Sequence, residues 1–297
     1  MYPKVSKKDM CGLFGYTRQS WYDTKKRQSA TQLSEVLLLQ EVKKVRNNHK
    51  KMGCEKMHGV MQPFLQDHGI KMGRDKFYFL LKEHGLQVRQ KRHIARTTNS
   101  NHLYKRYPNI ASDIELLSSG RLWVSDITYI RTIYGFVYLS LITDAYSRKI
   151  VGWSLWRDLT STGALNALKM AVECETITDK LIHHSDRGIQ YCCYDYVNYL
   201  KGSNIGISMT ENGDPYENAI AERVNGILKK EYDLYDTFND YNEALEAVKI
   251  AIDKYNNQRP HRSCNMLTPA IAHTKTGVLK KRWNKKKANT PTSEMQT

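Results

Sequence analysis

The stretch that decides the fold is Trp123-Val124-Ser125-Asp126-Ile127-Thr128-Tyr129-Ile130. It is followed, after a turn at Gly135, by Phe136-Val137-Tyr138-Leu139-Ser140-Leu141-Ile142. Both runs are β-branched and aromatic, and a third such run lies at 149–157. Three consecutive strands joined by short turns predict an antiparallel meander. Helical spacing follows at Leu165, Leu168 and Val172. A short strand at 180–184, a helix at 194–201 and a strand at 205–209 come next. Beyond the loop Asn212-Gly213-Asp214-Pro215 two helices are expected, near 217–232 and 240–257. The second is periodic through Tyr241, Leu245, Val248, Ile252 and Tyr255.

The order β-β-β-α-β-α-β-α-α is a ribonuclease-H-like layout: an α/β fold with a mixed five-stranded sheet and flanking helices. Three carboxylates hold particular places in it. Asp126 is mid-strand among Val124, Ile127 and Ile130, where a charge is costly unless paired or bound to metal. Asp186 ends the strand in His183-His184-Ser185-Asp186-Arg187-Gly188, and Glu222 lies on the helix that follows the Gly/Pro loop. At 100° per residue that helix places Ile220, Val224, Ile227 and Leu228 on one side, and Asn218, Glu222, Asn225 and Lys229 on the other. The polar edge is expected to point Glu222 toward the strand ends and Lys229 along the same groove. Taken singly, Asp126 could be paired with an arginine, Asp186 could be a turn residue, and Glu222 could be a solvated helix charge. Together, on this strand order, they read as one site.

Outward toward the N-terminus the chemistry changes sign. The 297 residues carry a net charge of +16, but residues 1–110 hold +15, residues 111–274 hold −5 and residues 275–297 hold +6. A polyanion would bind the ends, and an acidic middle suits divalent cations. The basic third is predicted all-α. Ser6 caps a helix with Met10, Leu13 and Phe14 at i, i+3 and i+4, Gly15 stops it, and Thr17 caps a short second helix carrying Arg18. A longer helix spans 30–50, with Leu33, Val36, Leu37 and Gln40 on one face. A second helix-turn-helix-like unit runs over 54–85. Its first helix, with the stripe Met57, Val60, Met61, Phe64 and Leu65, is expected to be kinked or short at Pro63. Its second, at 74–84, carries Phe77, Leu80 and Leu81 and ends before Gly85. Arg18, Arg74, Lys82, Arg89, Lys91, Arg92 and Arg96 are the candidate DNA contacts. The resulting organisation is a helix-turn-helix-like segment at 1–28, a helical DNA-binding domain at 29–96, a linker at 97–120, a catalytic core at 121–274 and a basic tail at 275–297.

Other classes are disfavoured. No apolar run reaches the length of a membrane helix, so no membrane partner is expected. The six cysteines form no Cys-x-x-Cys pair, so neither a zinc ribbon nor a disulfide scaffold is expected. The Cys192-Cys193 pair has no assigned role, and the chain is expected in the cytoplasm.

Residues 122–272 closely resemble the catalytic core of retroviral-integrase-type transposases, and the whole chain resembles the OrfB-type protein of the insertion sequence 3 family. The likeness rests on Trp123 to Tyr129, on His184-Ser185-Asp186-Arg187-Gly188-Ile189-Gln190-Tyr191 and on Asn212 to Arg223. It extends to Tyr255-Asn256-Asn257-Gln258-Arg259-Pro260-His261-Arg262. Asp186 and Glu222 enclose 35 residues, the family's D-D-35-E spacing, and Lys229 stands where the family has a basic residue. Cys264 stands where leucine is expected, a packing change only.

The resemblance implies DNA cleavage and strand transfer, with Asp126 bridging two Mg²⁺ ions and Asp186 and Glu222 completing one each. Mn²⁺ is the implied substitute. Lys229 would hold a DNA phosphate, and His184, Asn218 and Asn225 would stand behind the ligands. Implied partners are the element's terminal inverted repeats, target DNA, further copies of the chain assembled on DNA, and an upstream OrfA-type protein. The implied setting is the bacterial nucleoid. A non-catalytic DNA-binding regulator and a stand-alone ribonuclease-H-like nuclease are the competing readings.

Overall fold

The computed structural model describes residues 6–88, 103–112, 114–211 and 218–280. The chain divides into two compact units, Met1–Arg89 and Gln90–Thr297.

The first unit is helical: α1 (Lys7–Leu13), α2 (Arg18–Asn48), α3 (Cys54–Asp67) and α4 (Arg74–Glu83). Ser6 and Thr17 cap α1 and α2, accepting from the N–H groups of Asp9 and Ser20. Gly15 and Gly85 take positive φ values, 71° and 65°, and turn the chain out of α1 and α4. Three expectations change. The short helix after Thr17 and the helix at 30–50 are one 31-residue helix, because 18–48 contains neither glycine nor proline. The stripe Leu33, Val36 and Leu37 is exposed, while Leu38 and Val42 on the opposite side enter the core with Met57, Met61, Phe77 and Leu81. Finally, α3 continues through Pro63, held on both sides of it by the buried Met61 and Leu65. Arg46 ties the unit together. Its guanidinium donates to the carbonyls of Met52 (2.6 Å) and Leu86 (3.1 Å).

The second unit is built on β1 (Leu122–Thr132), β2 (Gly135–Asp144), β3 (Ile150–Trp156), α5 (Ser161–Cys174), β4 (Ile182–Ser185), α6 (Ile189–Cys192), α7 (Tyr194–Gly202), β5 (Gly206–Met209), α8 (Ala219–Glu231), β6 (Thr237–Phe238), α9 (Tyr241–Asn257) and α10 (Pro269–His273). The sheet order is β3-β2-β1-β4-β5; β1, β2 and β3 are antiparallel, and β4 and β5 run parallel to β1. This is the mixed sheet read from the sequence, with the two-residue β6 added beside β1. Alternation along the strands loads both faces. Ile130, Leu139 and Leu141 pack with Val224, Leu228, Val248 and Tyr255 of α8 and α9. Trp123, Ile142 and Val151 pack with Leu168, Tyr196 and Leu200 of α5 and α7.

The Tyr255–Arg262 segment is structural. Asn256 pairs both its amide ends with the backbone of Ile150 (2.9 and 3.0 Å), and Arg259 makes a buried two-point ion pair with Glu231 (2.8 Å each). Cys264 is fully buried, and its thiol reaches the Ser147 carbonyl at 3.2 Å.

Helix α10 is held by side chains. His273 contacts Ser147 Oγ through Nδ1 (2.9 Å) and Glu175 through Nε2 (3.0 Å), and Lys149 donates to the same carboxylate (2.6 Å). Burial alone would raise the Glu175 pKa, but the His273 and Lys149 hydrogen bonds outweigh it and the value falls below the usual carboxylate one. The stabilisation is therefore present above the unfolded carboxylate pKa and is lost as pH falls through the folded one. His273→Ala is expected to destabilise the protein by about 1–2 kcal/mol near pH 7. In denaturant titrations the gap to wild type narrows below about pH 4; a constant gap would refute the hydrogen-bond account.

Candidate active site

Strand β1 is longer than its parallel neighbours. It pairs with β4 only over Leu122–Val124 and with β6 only over Arg131–Thr132. Among the described residues, 125–130 have no partner strand on that side. Helix α8 fills the gap with its polar stripe. Asn218, at the start of the helix, donates its side-chain amide to the Ser125 carbonyl (2.9 Å), a group that a longer β4 would have satisfied. Asn225 donates to Asp126 Oδ2 (2.8 Å), and the other Asp126 oxygen accepts from the N–H of Ile127 (2.9 Å).

The polar stripe meets β1 and is largely buried. Asn218, Asn225 and Lys229 are buried, and Glu222 alone among the four is exposed. Lys229 does not lie open along a groove. Its ammonium sits 3.8 Å from the centre of the Tyr129 ring and 5.4 Å from that of Tyr235, because these rings offer a cation–π cradle that covers the stem. Burial lowers its pKa to about 8, opposed by the charge of Asp126.

Asp126 is half-buried, and its pKa is pushed up to about 7. Burial is the largest cause and the Asp186 charge the next; the hydrogen bonds from Asn225 and Ile127 pull the other way, and Glu222 adds repulsion. Glu222 is raised for the same two reasons, desolvation and then Asp186. The fold therefore brings all three acids within electrostatic range of one another. As placed, and among the described residues, no three His, Cys, Asp or Glu side chains gather tightly enough to wrap an ion. Each aspartate is anchored locally, Asp126 by the N–H of Ile127 (2.9 Å) and Asp186 by the N–H of Gly188 (2.9 Å).

A divalent cation fits this surrounding. The candidate ligands are hard oxygens, and the Oδ1 atoms of Asn218 and Asn225 are buried acceptors with no hydrogen-bond partner among the described residues. Asp126, Asp186 and Glu222 are the groups able to hold it.

His184 shares its Nδ1 with Ser208 Oγ (2.9 Å), joining β4 to β5. The histidine that meets β1 is His183, which sequence reasoning missed. Its Nε2 is reached by Ser125 Oγ (2.6 Å) and Tyr196 OH (2.9 Å), and burial lowers its pKa to about 3, so the ring is neutral. Strand alternation was the available signal, since His183 and His184 must face opposite sides of the sheet. Arg18, Arg74 and Lys82 are exposed on the helical unit, with Arg74 paired to Asp75 (2.8 Å). Arg89, Lys91, Arg92, Arg96 and the 212–216 loop lie outside the described residues.

The sequence matches the integrase core domain family over residues 118–215 and again over residues 203–269. The class is thus an integrase-type core. A 31 kDa protein of insertion element IS600 from Shigella sonnei is 34% identical over 270 residues, 90% of this chain and 98% of that one. The transposase of insertion element IS629, also from Shigella sonnei, is 31% identical over 236 residues, 79% of this chain and 78% of that one. A solved HTLV-2 integrase catalytic core, in complex with magnesium, is 19% identical and covers 54% of this chain and 99% of that one, with a TM-score of 0.45. The chain belongs to the insertion sequence 3 family of transposases, polynucleotidyl transferases of DNA transposition and recombination. Among the described residues no helix is long and apolar enough to cross a membrane.

Proposed function

We propose that Asp126, Asp186 and Glu222 are the catalytic carboxylates of DNA cleavage and strand transfer at the ends of a mobile element. They would hold two Mg²⁺ ions, with Mn²⁺ as a substitute. The observation that carries this reading is the state of Asp126: a half-buried acid, fixed by Asn225 and the Ile127 N–H, its pKa pushed up to about 7 by burial and by the charges of two further acids. Divalent ions at such a site supply Lewis-acid stabilisation of the charge that develops on a phosphoryl group during in-line displacement. The chain's own residues supply position. Asn225 and the Ile127 N–H fix the Asp126 carboxylate, and Asn218 fastens the start of α8 to β1, which sets where Glu222 can reach.

The helical unit is the proposed binder of the element's terminal repeats. The exposed Arg18, Arg74 and Lys82, with the basic stretch beyond them, would meet phosphates. Target DNA, further copies of the chain and an upstream OrfA-type protein complete the proposed assembly, acting at the bacterial nucleoid.

Glu222 tests the reading cleanly, because it is exposed and its replacement spares the core. With Mg²⁺ and a duplex carrying the element end, Glu222→Gln is expected to lower nicking and joining by at least about 100-fold. Binding of the same duplex should not change. Equal activity in variant and wild type would exclude Glu222; activity in neither would favour the regulator. Asn225→Ala has a different signature. It should raise the Mg²⁺ concentration for half-maximal rate by about 10–100-fold, with a smaller loss at saturating metal.

A further inference from the structure

The chain between residues 104 and 116 wraps the outer edge of the sheet. Tyr104 and Tyr107 pack with the cluster of Trp123, Tyr196 and Leu200, and Tyr104 meets Tyr194 edge to face at 5.6 Å. Ala111, Ile114 and Leu116 pack with the cluster of Leu122, Val124 and Ala221. Trp123 and Val124 are consecutive on β1, so the two clusters lie on opposite faces of the sheet. Between them the segment crosses the edge strand β5, where the Pro108 carbonyl accepts from the N–H of Met209 (3.3 Å). The crossing is tied at Asn109. Its backbone N–H donates to Glu211 Oε1 (2.8 Å), and its Oδ1 accepts from the N–H of Ala111 (3.1 Å) and from Ser208 Oγ (3.4 Å). The same Ser208 hydroxyl accepts from the N–H of Ile110 (3.0 Å) and meets His184 Nδ1 (2.9 Å). Ser208 and His184 are both buried.

The segment therefore touches the carriers of two acids. His184 lies on β4 two residues before Asp186, and Ala221 immediately precedes Glu222 on α8. Acids on separate elements can hold one set of ions only if the spacing of those elements is fixed closely, because a misplacement of about 1 Å at such a site costs orders of magnitude in rate. A connection that had only to span two units would be polar and solvated, whereas this one turns Tyr104, Tyr107, Ile114 and Leu116 onto the core. We propose that residues 104–116 position the active site, with Asn109 as the positioning residue that sets the strand end bearing Asp186 against the start of the helix bearing Glu222. Asn109 acts through Ser208 and His184 on one side and through the packing of Ala111, Ile114 and Leu116 on the other. The inference rests on the catalytic reading of those two acids.

The test takes two readings on the full chain: Mn²⁺ affinity without DNA, from the electron paramagnetic resonance signal of the free ion, and the rate of element-end cleavage in Mg²⁺. Asn109→Ala removes the Oδ1 acceptor. It is expected to weaken Mn²⁺ binding by about 10-fold and to slow cleavage by about 10- to 100-fold. Asn109→Asp keeps the acceptor and should recover both readings to within about threefold of wild type. Glu211 is exposed, so its replacement spares the core. Glu211→Ala should shift both readings in the same direction by about 3- to 10-fold, while Glu211→Gln, which can still accept from the Asn109 N–H, should not. Wild-type Mn²⁺ affinity and cleavage rate in Asn109→Ala, whatever its melting temperature, would mean that Asn109 holds only the fold, and the proposal is overturned. It is overturned equally if Asn109→Asp recovers nothing that the alanine loses. The catalytic reading fails by a separate sign, wild-type Mn²⁺ binding and cleavage in Glu222→Gln, a result that does not involve Asn109.

Discussion

Asp126→Asn is expected to abolish DNA cleavage, by at least about 10³-fold in Mg²⁺, and at the same time to make the metal-free protein more stable. The two effects share one cause. The folded protein holds this carboxyl at about 7, against about 3.9 for an aspartate in an unfolded chain. A group raised in this way takes up a proton on folding between those two values. Stability is unpenalised below the unfolded pKa, declines as pH rises through the window, and carries the full penalty above about pH 7. Three pKa units correspond to about 4 kcal/mol, the ceiling for this effect. Asparagine has the same shape, can still accept from Asn225, and does not ionise. Denaturant titrations in a chelator should therefore find the variant more stable than wild type above about pH 7, with the curves merging below about pH 4. Coincident curves throughout would mean that Asp126 is well solvated, and the electrostatic basis of the site would fall with it. Retained cleavage would remove Asp126 from the chemistry whatever the stability showed.

Gly152→Ala is expected to have the largest effect on folding without touching the site. Gly152 lies on β3 where α5 crosses the sheet, paired with Ile142. A Cβ added there would stand 2.2 Å from the Ala167 carbonyl oxygen, 2.7 Å from Ala171 Cβ and 2.9 Å from Ala171 N. Two of those three atoms are backbone, and α5 is anchored along its length by the buried Ala164, Ala167, Leu168 and Ala171. No side chain can rotate away, so the whole helix must move off the sheet. Overpacking usually costs about 1–3 kcal/mol when side chains can adjust, and this site exceeds that range. A loss above ~3 kcal/mol lowers the melting temperature by roughly 6–12 °C in a domain of this size. A calorimetric shift under a degree would show that α5 does not sit this close to β3.

Much of this architecture is legible locally. The alternation in 123–130 and 136–142, the apolar spacing of α9 and the turn residues between them predict the elements and their order, and the observed strands begin and end within a few residues of expectation. Asp126 and Asp186 stand out because a carboxylate inside or at the end of a buried strand is chemically conspicuous. The companions of Asp126 do not. The helix wheel places Asn218 and Asn225 on the Glu222 edge, but the groups they serve, Ser125 and Asp126, are seen to need partners only where β1 outruns β4. Helix α2 is ambiguous for a related reason. The run Val36-Leu37-Leu38-Leu39 offers an apolar stripe on either side, and only the packing of α3 and α4 selects Leu38 over Leu37.

The sequence alone determined the strand order, the place of each acid on its own element and the family. The order of the elements along the chain and the place of each acid follow from the two-residue pleat and the 3.6-residue turn, and the family is carried by the motifs around Asp126, Asp186 and Glu222. Which polar groups are inside was decided only in three dimensions. Asn225 and Asp126 are 99 positions apart and Asn218 and Ser125 are 93 apart, and neither pair has a local signature. A polar side chain is stable in the interior only when a partner arrives from elsewhere to replace water, and that partner exists only once the sheet and α8 have met.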